Sequence, residues 1–449
     1  MKQDASLNFD FIPYWTIPFR FFLTAPLFSM VAGLLLFIFG VQNLAGIWFE
    51  GSDTALWQSR WLTEVIVTLH LITLGTITMI MVGALFQVTS VVGGRLLPGG
   101  KMVAATVHSF LVLGAVLFFL AMTTRITWLF VLATFFLVTA LLMLSVCGLI
   151  AIFRAQRNSP TLSSMALSIV SLLVMICAGG LLLMMHGYSE YIGFDRRWTD
   201  FHLVWALAGW VGLLIMGVSF QVIPMFHVTP SFNPLLQKIL PIAVFISIIL
   251  TSLSNFFFTG EILALVCQFT LLACYGVYGI AVWRLLNKRK RKIEDITVQF
   301  WKVAVISFFV FFIMHVVSGA GIKASWGNEI SLMSGIVLIF GVALSVIGGM
   351  LQKIIPFLSY LHMQRFCQGD FERIKTLPHM RAILKVKHSR LFLRLHLLSF
   401  ALLLLMVVIP ELTLFAGLAL FVEFALLFFI TVQVVRMVWK TEQSLSVDY

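Results

Sequence analysis

The sequence predicts an all-α membrane protein whose twelve transmembrane helices form three pseudo-symmetric groups of four. Of the 449 residues, 61% are hydrophobic and only 11% are charged, roughly half the charge density of an ordinary soluble domain. Apolar runs of about 20 residues, the length at which a helix crosses a bilayer, recur along the chain. One motif occurs three times, and each occurrence lies four apolar runs from the next.

Charged residues and Gly- or Pro-rich stretches divide the apolar runs into twelve predicted spans. These cover residues 20–44, 62–92, 103–122, 126–153, 161–186, 199–226, 235–257, 259–285, 298–318, 328–361, 390–410 and 412–437. We therefore expect an interfacial segment (1–19), one membrane domain (20–438) and a short tail (439–449). The three predicted repeats within the domain cover residues 20–153, 161–285 and 298–438.

The distribution of positive charge predicts the orientation. If the first span starts in the cytoplasm, all but five of the 30 Lys and Arg residues fall on the inner side. The five outer residues are Arg60, Arg125, Arg196, Arg197 and Lys323. Because positive loops are retained in the cytoplasm, we expect a bacterial-type inner-membrane protein with both ends cytoplasmic. The net charge of +12 is then a topological signal that also attracts anionic lipid, and it indicates no nucleic-acid partner.

One inner loop, between Arg365 and Arg394, mixes basic and apolar residues. This composition is typical of an amphipathic helix on the membrane surface, and it also suits a docking site for a partner protein. The sequence leaves both interpretations open.

The recurring motif is Gly-x-x-[Phe/Leu]-Gln, which ends the apolar runs of spans 2, 6 and 10. Its glutamines are Gln87, Gln221 and Gln352, and all three lie at the predicted inner ends of their spans. A glutamine in hydrocarbon needs hydrogen-bond partners. We expect a polar axis in which the three amides either bond to one another or line an inlet from the cytoplasm.

Four histidines lie in the outer part of the membrane in this orientation: His70, His186, His202 and His315. An ionisable residue within a span indicates function, and neutral imidazole is a good ligand for haem iron, copper or zinc. The alternative is an interfacial histidine bonded to a carbonyl group or water. When span 10 is aligned on its glutamine, Met333 or Gly335 occupies the histidine position. Met333 is therefore either a weak metal-ligand candidate or ordinary packing.

Glu423, midway along span 12, is the only carboxylate deep within a predicted span. It is either a proton-relay group or a neutral acid stabilised by a hydrogen bond.

Two segments, HLITLGTITMIMVGALFQV and FHLVWALAGWVGLLIMGVSFQVIPMF, are similar to helices of the haem-copper oxidase and nitric oxide reductase core-subunit superfamily. PFRFFLTAPLF near the start resembles the opening of the NnrS family, which are haem- and copper-containing membrane proteins linked to nitric-oxide stress. The resemblance implies an oxidase-subunit-I-like fold that binds haem b, copper or both on the periplasmic side. It matches His70 to the low-spin haem ligand of helix 2 and His202 to the copper ligand of helix 6.

The sequence also departs from that superfamily. Oxidases carry His-x-His on helix 10 and a His-His pair on helix 7, whereas spans 7 and 10 here contain no histidine. The residue four positions after His202 is Ala206, where many oxidases have tyrosine. A proton-pumping oxygen reductase of the usual type is therefore excluded.

We expect instead a divergent relative that binds haem or copper through His70, His202 and His315. Its role would lie in nitric-oxide or redox stress or in metal handling, and whether it is an enzyme stays open. Two alternatives belong to other classes. One is a cofactor-free transporter or permease, and the other is a scaffold subunit of a membrane complex that docks a partner through the Arg365 to Arg394 loop.

Overall fold

A computed structural model describes residues 13–46, 57, 59–156, 159–257, 261–290, 293, 295–319, 327–367 and 369–446. The described residues form helices and no strands. Twelve helices among them are long and apolar enough to cross a membrane, which confirms the predicted fold class. Most of the predicted interfacial segment (residues 1–12), the end of the predicted tail (447–449) and Lys323 lie outside the described residues.

The helices, numbered 1 to 12 in chain order, have the following bounds: Thr16–Leu44, Thr63–Gly93, Gly100–Thr124, Thr127–Phe153, Pro160–Gly187, Arg197–His227, Pro234–Phe257, Ile262–Asn287, Ile296–Ser318, Gly327–Phe366, Val386–Val408 and Pro410–Ser444. Each helix packs against the next one in the chain. Helix 12 also packs along helix 1, so the twelve helices form a closed bundle.

The contact between helices 1 and 12 is the most extensive one in the described part of the chain. It depends on glycines because an added Cβ on Gly33 would lie 2.7 Å from the backbone nitrogen of Phe421. A Cβ on Gly417 would clash with the backbone of helix 1 at Phe37 and Gly33. Small residues let two helix backbones approach closely in a bilayer. At one end of this pair, the Trp15 indole donates to the Glu442 carboxylate at 3.2 Å.

Helices 2, 6 and 10 each contain a π-helical segment: Leu71–Thr78, Val204–Gly212 and Val337–Leu344. All three segments precede the repeated Gln motif by a similar distance along the chain. A π-helical turn is rare and occurs frequently at functional sites. The three segments therefore support the threefold repeat. They also indicate that a functional site lies at this depth of the bundle.

A charged cluster joins helices 6, 9 and 10 at the predicted inner end. Asp295, just before helix 9, accepts hydrogen bonds from His227 at 3.3 Å and from Lys353 at 2.9 Å. The Thr297 hydroxyl donates to its other oxygen at 2.7 Å. Burial alone would raise the pKa of Asp295, but these hydrogen bonds and the Lys353 charge outweigh it and hold that pKa well below its usual range.

We expect Asp295→Asn to lower the melting temperature at neutral pH, with a loss of about 2 kcal/mol in the free energy of unfolding. Because the folded-state pKa is below the unfolded value of about 3.9, this stabilisation is present above that pH and is lost as the pH falls further. The difference between wild type and variant should therefore shrink in acid. Thermal unfolding in detergent at several pH values measures it.

The matched control is Asp195→Asn, in an exposed loop where Asp195 pairs with Arg197 at 2.8 Å. It should leave the melting temperature nearly unchanged because exposed ion pairs contribute little. Equal melting temperatures for wild type and Asp295→Asn at neutral pH would contradict the stabilising role of the cluster.

The loop between helices 10 and 11 contains two short helices, Phe371–Thr376 and Met380–Ile383. The single amphipathic surface helix considered for this loop is therefore not formed. Phe371 is 69% exposed, so the loop still presents an apolar side chain among basic ones.

Candidate functional site

A cavity of about 880 Å³ lies at the predicted outer end of the bundle. Residues from helices 1 to 11 line it, so it is central rather than lateral. Its lining is mostly apolar and includes few polar groups, among them all four histidines that the sequence places in the outer part of the membrane. Size and lining are typical of a small-molecule or cofactor site.

His70 and His202 lie next to each other in this cavity. Their ring centroids are 6.4 Å apart, and the ring planes are within 21° of parallel. His70 ends the α-helical turn before the π segment of helix 2, and His202 lies two residues before the π segment of helix 6. The two positions correspond in the repeat, which explains why they meet.

Both rings are oriented by the backbone. Nδ1 of His70 donates to the Ile66 carbonyl at 2.8 Å, and Nδ1 of His202 donates to the Met175 carbonyl at 3.1 Å. A metal-binding histidine usually donates its second ring N–H in this way, which fixes the tautomer and leaves Nε2 as the ligand atom. Gly179 makes room for the second ring, because a Cβ there would lie 2.9 Å from Cε1 of His202.

The other two outer histidines line the same cavity, but each one is hydrogen-bonded to a different residue. Nδ1 of His186 bonds to the Leu182 carbonyl at 2.9 Å, and Nε2 of His315 bonds to Gln268 at 3.1 Å. Within the described ranges, no three His, Cys, Asp or Glu side chains are close enough to bind one metal ion. His70, His202 and His315 therefore do not form a shared three-ligand site. Met333 is not among the residues that line the cavity.

Two arginines, Arg60 and Arg197, contribute to the cavity lining near its outer end. Arg60 pairs with Asp200 at 3.2 Å, and its guanidinium lies 4.7 Å from the centre of the Trp61 ring. Arg197 pairs with Asp195, and its hydrogen bonds lower the pKa of that carboxyl group. Both guanidinium groups at the outer end of the cavity are therefore already paired with a carboxylate.

The three repeated glutamines differ in their surroundings. Gln87 is buried, and its amide has no hydrogen-bond partner among the described residues. Gln352 is buried and accepts a hydrogen bond from Ser389 at 3.1 Å. Gln221 is exposed. Mutual hydrogen bonding, one of the two interpretations of the polar axis, is therefore not found in the described part of the chain.

Glu423 has a partner that the sequence did not assign to it. His396 of helix 11 lies 2.8 Å from Glu423 of helix 12, and both side chains are almost completely buried. His396 stands near the middle of helix 11, Val386–Val408, and therefore lies deep within a membrane-spanning segment. A usable signal was present, because helices 11 and 12 are consecutive and the two residues lie at similar distances from the turn that joins them.

No protein-family model matches this sequence, and neither does any curated protein. The chemistry of the cavity therefore has to be inferred from its own residues.

Proposed function

We propose that this protein is a redox-active membrane haem protein that holds a haem in the central cavity between His70 and His202. The observation that carries the proposal is the pair of nearly parallel imidazoles, each with Nδ1 bonded to a carbonyl and Nε2 left over as a ligand atom. Histidine is a common axial ligand of haem iron.

The spacing of the rings supports this proposal. Two imidazoles that bind one metal ion from opposite sides, each at about 2.0 Å, place their ring centroids roughly 6 Å apart. The centroids of His70 and His202 are 6.4 Å apart. A two-coordinate copper(I) ion requires a similar spacing of the two rings, so copper is the second candidate for the same pair.

The rest of the cavity favours haem over a bare metal ion. A volume of about 880 Å³ is far larger than one ion needs, and an apolar lining suits the faces and edges of a porphyrin. Arg60 and Arg197 are paired with Asp200 and Asp195, and their remaining guanidinium N–H groups would bind the two carboxylates of haem. No further ligand cluster is required, because the porphyrin itself supplies the other four ligands.

His70 and His202 would hold the haem together. A haem held by two histidines would supply electron transfer rather than the binding of oxygen or nitric oxide. The protein would therefore act in redox or nitric-oxide stress by passing electrons rather than by reducing oxygen. His186 and His315 line the same cavity and remain available to orient a second molecule there.

The test is the absorption spectrum of detergent-purified protein, oxidised and then reduced with dithionite, with iron and copper quantified on the same sample. We expect a sharp band on reduction and about one iron per chain. Copper without haem would replace the haem proposal by the copper(I) one. Neither metal, in protein from cells supplied with both, would contradict the proposal and favour a cofactor-free transporter or a scaffold subunit.

A further inference from the structure

A second polar cluster lies beside the cavity, between helices 10, 11 and 12. It consists of Ser345, His396 and Glu423, whose side chains are all at most 1% exposed. The ring of Phe340 stacks on His396, with centroids 4.7 Å apart and planes within 11° of parallel. Phe340 also lines the cavity, so its ring contacts both the cavity and the cluster.

Hydrogen bonds connect the three side chains in series. Oε1 of Glu423 lies 2.8 Å from Nδ1 of His396, and Nε2 of His396 lies 2.8 Å from the Ser345 hydroxyl. The other carboxyl oxygen, Oε2 of Glu423, is buried and has no hydrogen-bond partner in the part of the chain that the structure describes.

This arrangement favours a carboxyl group that keeps its proton. An ionised carboxylate in an apolar interior is costly unless its oxygens are paired. The unpartnered Oε2 is far less costly as the carbonyl oxygen of a neutral acid. Glu423 then donates its O–H to Nδ1 of His396, and Nε2–H of His396 donates to the Ser345 hydroxyl oxygen.

Ser345 has a second possible acceptor for its own proton. Its hydroxyl lies 3.3 Å from the backbone carbonyl of Phe340, within the π segment Val337–Leu344. When the Glu423–His396 pair holds its proton, Ser345 can donate to this carbonyl. If that proton leaves to water, His396 keeps Nδ1–H toward the carboxylate and Nε2 becomes an acceptor. Ser345 must then turn its O–H away from Phe340 to reach Nε2.

We propose that His396 and Glu423 form a proton-binding site that holds one proton inside the membrane and changes the hydrogen bond of Ser345 to the π segment when that proton is lost. The ligand of this second site is the proton. Loss of the proton changes the hydrogen bond at the Phe340 carbonyl, and Phe340 also lines the cavity. The protonation of the site is therefore coupled to the cavity wall. The inference does not depend on which cofactor the cavity holds.

Other charged side chains stand on the elements that pack around the pair: Lys302, Lys353, Arg394, Glu411 and Arg436. Lys302 lies over the Trp283 ring at 5.5 Å, and Lys353 is paired with Asp295. Among the described residues, none of these five forms an ion pair with His396 or Glu423. The two residues and Ser345 therefore set the protonation of the site.

Infrared spectroscopy of the purified full chain, free of added cofactor, tests the proposal. At neutral pH we expect a C=O stretching band of a protonated carboxylic acid that shifts in D₂O. Glu423→Gln should abolish this band. Glu411→Gln, which removes a carboxylate at the end of the span, is the matched control and should leave it unchanged.

Raising the pH should replace the acid band by carboxylate absorption while the protein stays folded. Ser345→Ala should leave the acid band in place at neutral pH, because Glu423 still bonds to Nδ1 of His396. If Glu423→Gln does not fold, infrared spectra of wild type at several pH values and in D₂O still test the proposal. A wild-type spectrum with no acid band at neutral pH, or an acid band that persists at every pH at which the protein is folded, would overturn the proposal.

Discussion

We expect protein with the change His70→Ala to lack the sharp band that the proposed haem would give in wild type on reduction with dithionite. His70 and His202 would hold that haem, so only one of the two binding residues would remain in the variant. Loss of even an outer-shell partner costs about 10- to 100-fold in metal affinity, so loss of a ligand should lower haem content at least tenfold. Spectra and iron analysis at equal protein concentration measure the effect.

Two control variants make the assignment specific. His379→Ala removes an exposed histidine from the loop between helices 10 and 11, and it should leave the spectrum unchanged. His186→Ala removes a histidine that lines the same cavity with a comparable backbone hydrogen bond. A full band in His70→Ala together with a lost band in His186→Ala would refute the assignment of His70 and move it to His186.

Gly417→Ala should strongly destabilise the membrane domain. The added Cβ would meet backbone atoms of helix 1, including the carbonyl oxygen of Gly33 at 2.6 Å. Backbone atoms cannot move aside as a flexible side chain can, so helices 1 and 12 must separate. We expect a cost of about 3 kcal/mol, the upper range for overpacking, and a lower melting temperature in detergent.

Gly276→Ala provides the comparison within another helix. Gly276 lies inside helix 8, and the nearest atom to its added Cβ is a ring carbon of Phe308 at 4.0 Å, an ordinary contact. This variant should melt at or slightly above the wild-type temperature, because alanine favours a helix more than glycine does. Similar melting temperatures for the two variants would show that the backbone approach of helices 1 and 12 contributes little to stability.

The sequence was sufficient to predict the twelve helices, because hydropathy and span length depend only on composition along the chain. It also predicted that His70 and His202 belong to one functional region, since both precede the repeated motif by similar distances. Depth in the bilayer follows from position along a helix. The side of the helix on which a residue lies depends on the rotation of the helix about its own axis. Hydropathy along the chain does not give this rotation.

Two features of the site depend on rotation as well as on depth. Gln221 shares its motif with Gln87 and Gln352, yet it is exposed while they are buried. His315 has the predicted depth, but it bonds to Gln268 and does not join His70 and His202. The π segments add to this difficulty, because each one changes the angle between residues on its two sides. No residue pattern predicted them, since an i to i+5 hydrogen bond is set by packing around the helix.

The pairing of helix 1 with helix 12 has a consequence for how the protein is made. Helix 1 is translated before helix 12, its principal neighbour, and ten other described helices lie between them in the chain. Until helix 12 is made, Gly33 and Gly40 of helix 1 lack the backbone contacts that helix 12 gives them. A chain that stops before helix 12 would leave these glycines open to other membrane helices, so a quality-control protease or a second chain could recognise them. The bundle therefore closes only once helix 12 has been synthesised.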